Sequence, residues 1–239
     1  MPERAPEKAR AKVAARAIDT GVGAVSDGRM FRAVPLLVIL TSLIVGCSPK
    51  PPPSPPAQAN APAASRALQT LDPIVARAAA LEVVEALKRR DMATVARYAH
   101  PTMGVLFAPY AFVEPSEHQI WSVAALPGWF QDARVRVWGT EDGTGFPIER
   151  TPAQYYERFV FPRDFTIGAK ISVNDDQAKG NSINNAPSLY PDGVRVEFYL
   201  PPTQTPEGPL PDWRALRLVF VAVGGEPKLV AVVHDQWTI

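Results

Sequence analysis

Few residues in this chain can do covalent or metal chemistry. One cysteine, Cys47, and three histidines, His100, His118 and His234, stand among 25 basic and 24 acidic side chains in 239 residues. A single cysteine excludes an intrachain disulfide framework and any zinc or iron–sulfur site built from several cysteines. His100 precedes Pro101 at a helix end, where capping backbone is the ordinary role of such a ring. His118 closes Glu114-x-x-Glu117-His118, which offers ligands only if other segments join it, and none of the usual zinc spacings is present. His234 shares a strand face with Val230 and Val232, so strict alternation points Asp235 the other way and leaves the ring unoriented by that carboxylate. No nucleophile elbow, phosphate-binding loop or dinucleotide glycine pattern occurs. These residues imply no metal and no cofactor, and no catalytic set is assigned.

Two polar loops hold most of the remaining chemistry. The segment Trp138-Gly-Thr-Glu-Asp-Gly-Thr-Gly places Glu141 and Asp142 among three glycines, and residues 174–185 are rich in oxygen ligands. Lys179 stands where a calcium-loop pattern wants an acid, and turn-forming loops use these same residue types. Aromatic residues Tyr110, Trp121, Trp129, Trp138, Trp213 and Trp237 are available to line a pocket or fill a core. Asp142 at the glycine turn beside Trp138, and His100 near Tyr110, are therefore the candidate ligand-binding residues. A hydrolase with His100 as base and a carboxylate such as Asp142 as its partner is the alternative these residues leave open.

The clearest signal lies upstream. Arg29 and Arg32 precede an apolar run from Val34 to Val45, 12 residues long, which ends in Ile44-Val45-Gly46-Cys47. A spanning helix needs about 20 apolar residues, whereas a short apolar run after a basic flank suits a secretory signal peptide. The end of the run resembles the lipobox of bacterial lipoproteins, and that resemblance implies cleavage before Cys47 and acylation of the cysteine. Its membrane partner is then the bilayer itself, because several acyl chains on one residue anchor where a single chain is marginal. By the same resemblance, Ser48 after the cysteine is compatible with outer-membrane sorting in a cell with two membranes. Residues 1–29 are either a basic cytoplasmic extension or untranslated sequence upstream of a start at Met30, and they are set aside from the fold.

Residues 47–65 form the lipidated cysteine and a linker. Positions 48–65 hold seven prolines in 18 residues, with no apolar periodicity to repay ordering. Such a run favours polyproline II and acts as a spacer with a reach on the order of 50 Å. The folded domain is residues 66–239. It carries 17 basic against 20 acidic side chains, whereas the whole chain is +1, so no basic surface points to nucleic acid.

Within that domain the first elements read as helices. Asp72-Pro73 is an N-cap with proline at the first helical position, and Ile74, Ala78, Leu81 and Val84 recur at helical spacing. Asp91 caps a second helix that ends at His100-Pro101, and Thr151-Pro152-Ala153-Gln154 is a capping-box pattern that presents Tyr155, Phe159 and Tyr156 inward. Gly193 to Leu200 alternates as a strand, and Trp213–Val223 and Pro227–Ile239 form a hairpin about Gly224-Gly225 whose two apolar faces predict cover on both sides. Shorter strands are expected at 104–107, 133–138 and 169–173.

Helices followed by long antiparallel strands define an α+β domain. The opening ALEVVEALKRRDMATVARYAHP resembles the start of an NTF2-like cone, which implies N-terminal helices packed on a curved antiparallel sheet around a pocket. The segments His100-Pro101-x-x-Gly104-Val105-x-Phe107-x-Pro109-Tyr110, Trp138-Gly139-x-x-Asp142-Gly143-x-Gly145-x-Pro147-Ile148, Arg217-Leu218-Val219-Phe220 and His234-Asp235-Gln236-Trp237-Thr238-Ile239 resemble a group of uncharacterised bacterial lipoproteins that lends no activity. The expectation is a non-catalytic binding or envelope-assembly module, tethered on the extracytoplasmic side, with a protein or glycan partner.

Overall fold

The computed structural model describes residues 70–177 and 179–238. The signal segment, Cys47, the proline-rich linker and residues 1–29 lie outside the described residues.

Helix α1 (Pro73–Lys88) starts where the Asp72 side chain accepts a hydrogen bond from the Ile74 N–H, 2.8 Å. Helix α2 (Met92–Tyr98) starts the same way, with Asp91 accepting from the Thr94 N–H at 2.9 Å. The buried face of α1 is Ala76, Ala79, Ala80, Val83, Val84, Ala86 and Leu87. Of the four apolar positions read from periodicity, only Val84 is buried; Ile74 is 78% exposed and Leu81 lies at the margin. Small alanines let the helix axis sit close to the sheet, so the alanine stripe wins the inward face over the bulkier one.

The main sheet has six strands, in the order β2-β1-β10-β9-β6-β5. Its members are β1 (Val105–Ala108), β2 (Gln119–Trp121), β5 (Lys170–Val173), β6 (Val194–Leu200), β9 (Arg214–Val223) and β10 (Glu226–Gln236). β9 and β10 turn at Gly224-Gly225, both with positive φ as a tight hairpin requires. The domain is α+β, but the sheet is mixed: β1 runs parallel to β10, and every other pairing is antiparallel. The parallel pair corrects the all-antiparallel expectation. The chain between β1 and β10, residues 109–225, carries the other strands and short helices of the domain, and so long a connection is what parallel neighbours need. Cone-like curvature is not a feature of this sheet.

Both faces of β9 and β10 are covered, as the apolar pattern predicts. α1, α2 and an aromatic cluster cover Leu216, Leu218, Phe220, Val232 and Leu229, while Ala186, Val113 and Tyr190 cover Val219, Ala231 and Val233. A bulge between Leu229 and Ala231 breaks the alternation. It turns Val230 to the second face, away from Val232 and His234, so strict period two misplaced Val230.

Short elements complete the domain, the strand near 133–138 and the helix capped at Thr151 expected from the sequence and the others not assigned there. β3 (Arg136–Thr140) pairs with β4 (Pro147–Arg150), a 3₁₀ turn spans Leu126–Gln131, and α3 (Pro152–Tyr155) runs into a π turn, Tyr156–Val160. β3 begins later than position 133, and just ahead of it Asp132 accepts from the side chains of Arg134 and Arg136. α4 (Ala186–Leu189) and a two-residue pair, β7 (Gln204–Thr205) with β8 (Gly208–Pro209), follow. The capping box at Thr151 and Gln154 forms as expected, and Tyr155, Tyr156 and Phe159 are buried.

Candidate functional site

Trp138 and Trp129 decide where the β3–β4 hairpin sits. Both indoles are buried, and their N–H groups donate to the carbonyls of Arg150 and Pro152, each at 2.9 Å, on either side of the Thr151 cap. Trp138 also stacks on Tyr155, with ring centroids 3.9 Å apart. Trp138 is thus a core residue rather than a ligand contact. What it does for the site is fix the hairpin, whose tip, residues 141–145, then overhangs the β1–β2 connection.

That connection folds into a tight turn. The Glu117 and His118 N–H groups donate to the Glu114 carbonyl, each at 3.0 Å, and the His118 ring returns to accept from the Glu114 N–H through Nδ1 at 3.2 Å. With Nδ1 accepting, the neutral ring carries its proton on Nε2. The ring packs over Gly139, where an added Cβ would lie 3.1 Å from His118 Cδ2 on a backbone of φ +120°. Asn185 holds the connection from behind: its Oδ1 accepts from the Val113 N–H at 2.7 Å and its Nδ2 donates to the Val113 carbonyl at 2.9 Å.

Between hairpin tip and connection lies an open cleft of about 690 Å³, a size that small ligands use. Four carboxylates line it, Glu114, Glu117, Glu141 and Asp142, with Tyr110, Phe112 and His118. Among the described residues no lysine or arginine does. The Tyr110 hydroxyl donates to Glu141 Oε2 at 2.8 Å, and Arg150 approaches Glu141 at 3.8 Å. Burial, reinforced by the hydrogen-bonded Glu141, pushes the Tyr110 phenol up to about 12. Burial lowers His118 to about 4, against the opposing pull of Glu114.

The structure thus brings together Tyr110 and Asp142 of the four sequence candidates. His100 is elsewhere: its Nδ1 accepts from the N–H groups of Met103 (3.0 Å) and Thr102 (3.3 Å), closing the turn into β1, and it forms no ion pair with a described carboxylate. Glu114, Glu117 and His118 needed a second segment to become a site, and residues 140–145 supply it. No signal in the sequence tells which loop that is, because the join depends on how the hairpin docks. Among the described residues no group of three His, Cys, Asp or Glu side chains has an arrangement that could hold a metal ion. Compared with known proteins, the chain matches no family model, no curated protein and no solved structure.

Burial holds all three histidines below their ordinary value, His118 at about 4 and His234 at about 3, with His100 shifted in the same direction. A depressed histidine stabilises the fold fully above the unfolded value near 6.5, and that contribution fades as pH falls towards the folded value. Asp235, raised by burial, acts in the opposite sense but is one group against three. The urea midpoint should therefore drop steadily from about pH 7 to about pH 4.5, and His234→Gln should flatten the slope. A midpoint that is constant or rises over this window contradicts the assignment.

Proposed function

We propose that this chain is a lipid-anchored extracytoplasmic protein whose folded domain binds an amine-bearing ligand in the cleft between residues 109–118 and 140–145. The observation that carries the reading is the lining itself: four carboxylates from two chain segments, with Tyr110 and Phe112 beside them and, among the described residues, no cationic side chain in the wall, Arg150 standing behind Glu141 at 3.8 Å. A cation seated there gains several weak, screened attractions of about 0.2–1 kcal/mol each, plus contact with aromatic faces. The Ile44–Cys47 lipobox and the proline-rich stretch before the domain support anchoring on a spacer, at the outer membrane if the cell has two. Helices packed on one sheet face support the outline of an NTF2-like arrangement, while the parallel β1–β10 pair and the lack of cone-like curvature weigh against it. The hydrolase alternative loses its pair, since His100 is not in the wall that Asp142 lines.

Amino sugars and basic peptides share the required ammonium group, and a glycan probe isolates its effect. Tetraglucosamine should bind the protein in phosphatidylcholine nanodiscs, with an affinity that falls as salt shortens the screening length from about 10 Å to about 3 Å. Its fully N-acetylated form, and the variant carrying Glu141→Gln with Asp142→Asn, should each bind about tenfold more weakly, a difference of about 1.4 kcal/mol. Equal affinity for the charged and acetylated oligomers would falsify the reading.

A further inference from the structure

On the other side of the same connection is a second hollow of different character. Its floor is Leu106 and Val230, and its walls are Met103, Pro115, Ile120, Leu189 and Tyr190, enclosing about 360 Å³. β1–β2 register sets Ile120 directly opposite Leu106, and the β10 bulge turns Val230 onto this face, so the bulge adds one more apolar side chain to the floor. Met103 is 51% and Ile120 53% exposed. Pro115 lies between Glu114 and Glu117 in sequence, so the groove and the acidic cleft meet along one turn.

We infer that this combined surface docks a basic amphipathic peptide segment of a partner protein, with apolar side chains in the groove and lysine or arginine side chains against Glu114 and Glu117. The inference rests on the amine-binding role proposed for the cleft and names the partner class. Charge complementarity selects this occupant over two others. A second copy packed about a two-fold axis would bring the same acidic turn into the interface twice, with no lysine or arginine among the described residues lining groove or cleft to pair with it, which opposes association. An anionic lipid surface would meet four carboxylates where cations are needed. A basic amphipathic segment satisfies both halves of the surface, in the way apolar anchors and charged flanks recognise grooves elsewhere.

The test uses the full chain in phosphatidylcholine nanodiscs and an amphipathic leucine/lysine peptide of about four helical turns, with signal from empty nanodiscs subtracted. The peptide should bind, while a glycine/lysine peptide of equal charge and a leucine/glutamate peptide should each bind about tenfold or more weakly. Ile120→Asp, at an exposed position, should cost about tenfold in peptide affinity and leave tetraglucosamine binding unchanged. Leu189→Asp provides a second, independent variant should the first disturb β2. Glu114→Gln with Glu117→Gln should weaken both ligands. Peptide affinity that both groove variants leave within twofold would overturn the inference even if tetraglucosamine still binds in the cleft. So would equal binding of the leucine/glutamate peptide, a dimer that Ile120→Asp dissociates, or recruitment to anionic vesicles that the groove variants abolish.

Discussion

Arg217→Ala is expected to destabilise the domain by about 3–5 kcal/mol, enough to consume much of the stability of a domain this size. Arg217 and Glu197 are 1% and 2% exposed, stand directly opposite each other on β9 and β6, and join through Nη2 and Oε2 at 2.5 Å. Removing the guanidinium leaves the Glu197 carboxylate buried, with Lys179, at 3.6 Å, as its remaining ion-pair partner among the described residues. The pair is not fully satisfied even in the native state, since Arg217 Nε and Nη1 have no hydrogen-bond partner among the described residues. Replacing both residues together, as Arg217→Met with Glu197→Leu, should therefore recover most or all of the loss, because the desolvation cost vanishes with the charges. Urea unfolding of the two variants checks this. A single variant within about 1 kcal/mol of the parent, or a double variant no better than the single, contradicts the account of the pair.

Cys47→Ala should abolish incorporation of labelled fatty acid and leave the precursor with its apolar segment still attached. The expectation follows from the Ile44-Val45-Gly46-Cys47 pattern and from thioether chemistry that alanine cannot perform. The effect is all-or-none, because one cysteine is the whole supply of thiol in the chain. Labelling of the alanine variant at the parental level would remove lipid anchoring from the proposal and leave the cleft untouched.

Local chemistry was the most legible part of this fold. Asp72, Asp91 and the Thr151–Gln154 box cap helices because the bonds lie within three residues of the cap, and the Gly224-Gly225 hairpin is likewise a local event. What failed depends on distant neighbours. The inward face of α1 was misread because alanine contributes little to periodicity yet packs closest, and Val230 because a bulge is a two-strand property. Closeness in sequence to Asp142 suggests a pocket role for Trp138, but it says nothing about direction: Trp138 is buried while β3 ends at the exposed Thr140. Tyr110 and Asp142 did converge, and Glu114, Glu117 and His118 stood out as a cluster lacking its complement. That complement was hidden because two buried indole hydrogen bonds, rather than any motif, dock the hairpin.

Hydrogen exchange on the nanodisc-borne protein, with and without tetraglucosamine, is the most direct test of binding in the cleft. Exposed loop amides exchange readily, so an occupied cleft registers as slower exchange at its walls. The account predicts protection confined to residues 109–118 and 140–146, and its loss in the variant carrying Glu141→Gln with Asp142→Asn. Protection located elsewhere, or persisting undiminished in that variant, would contradict it.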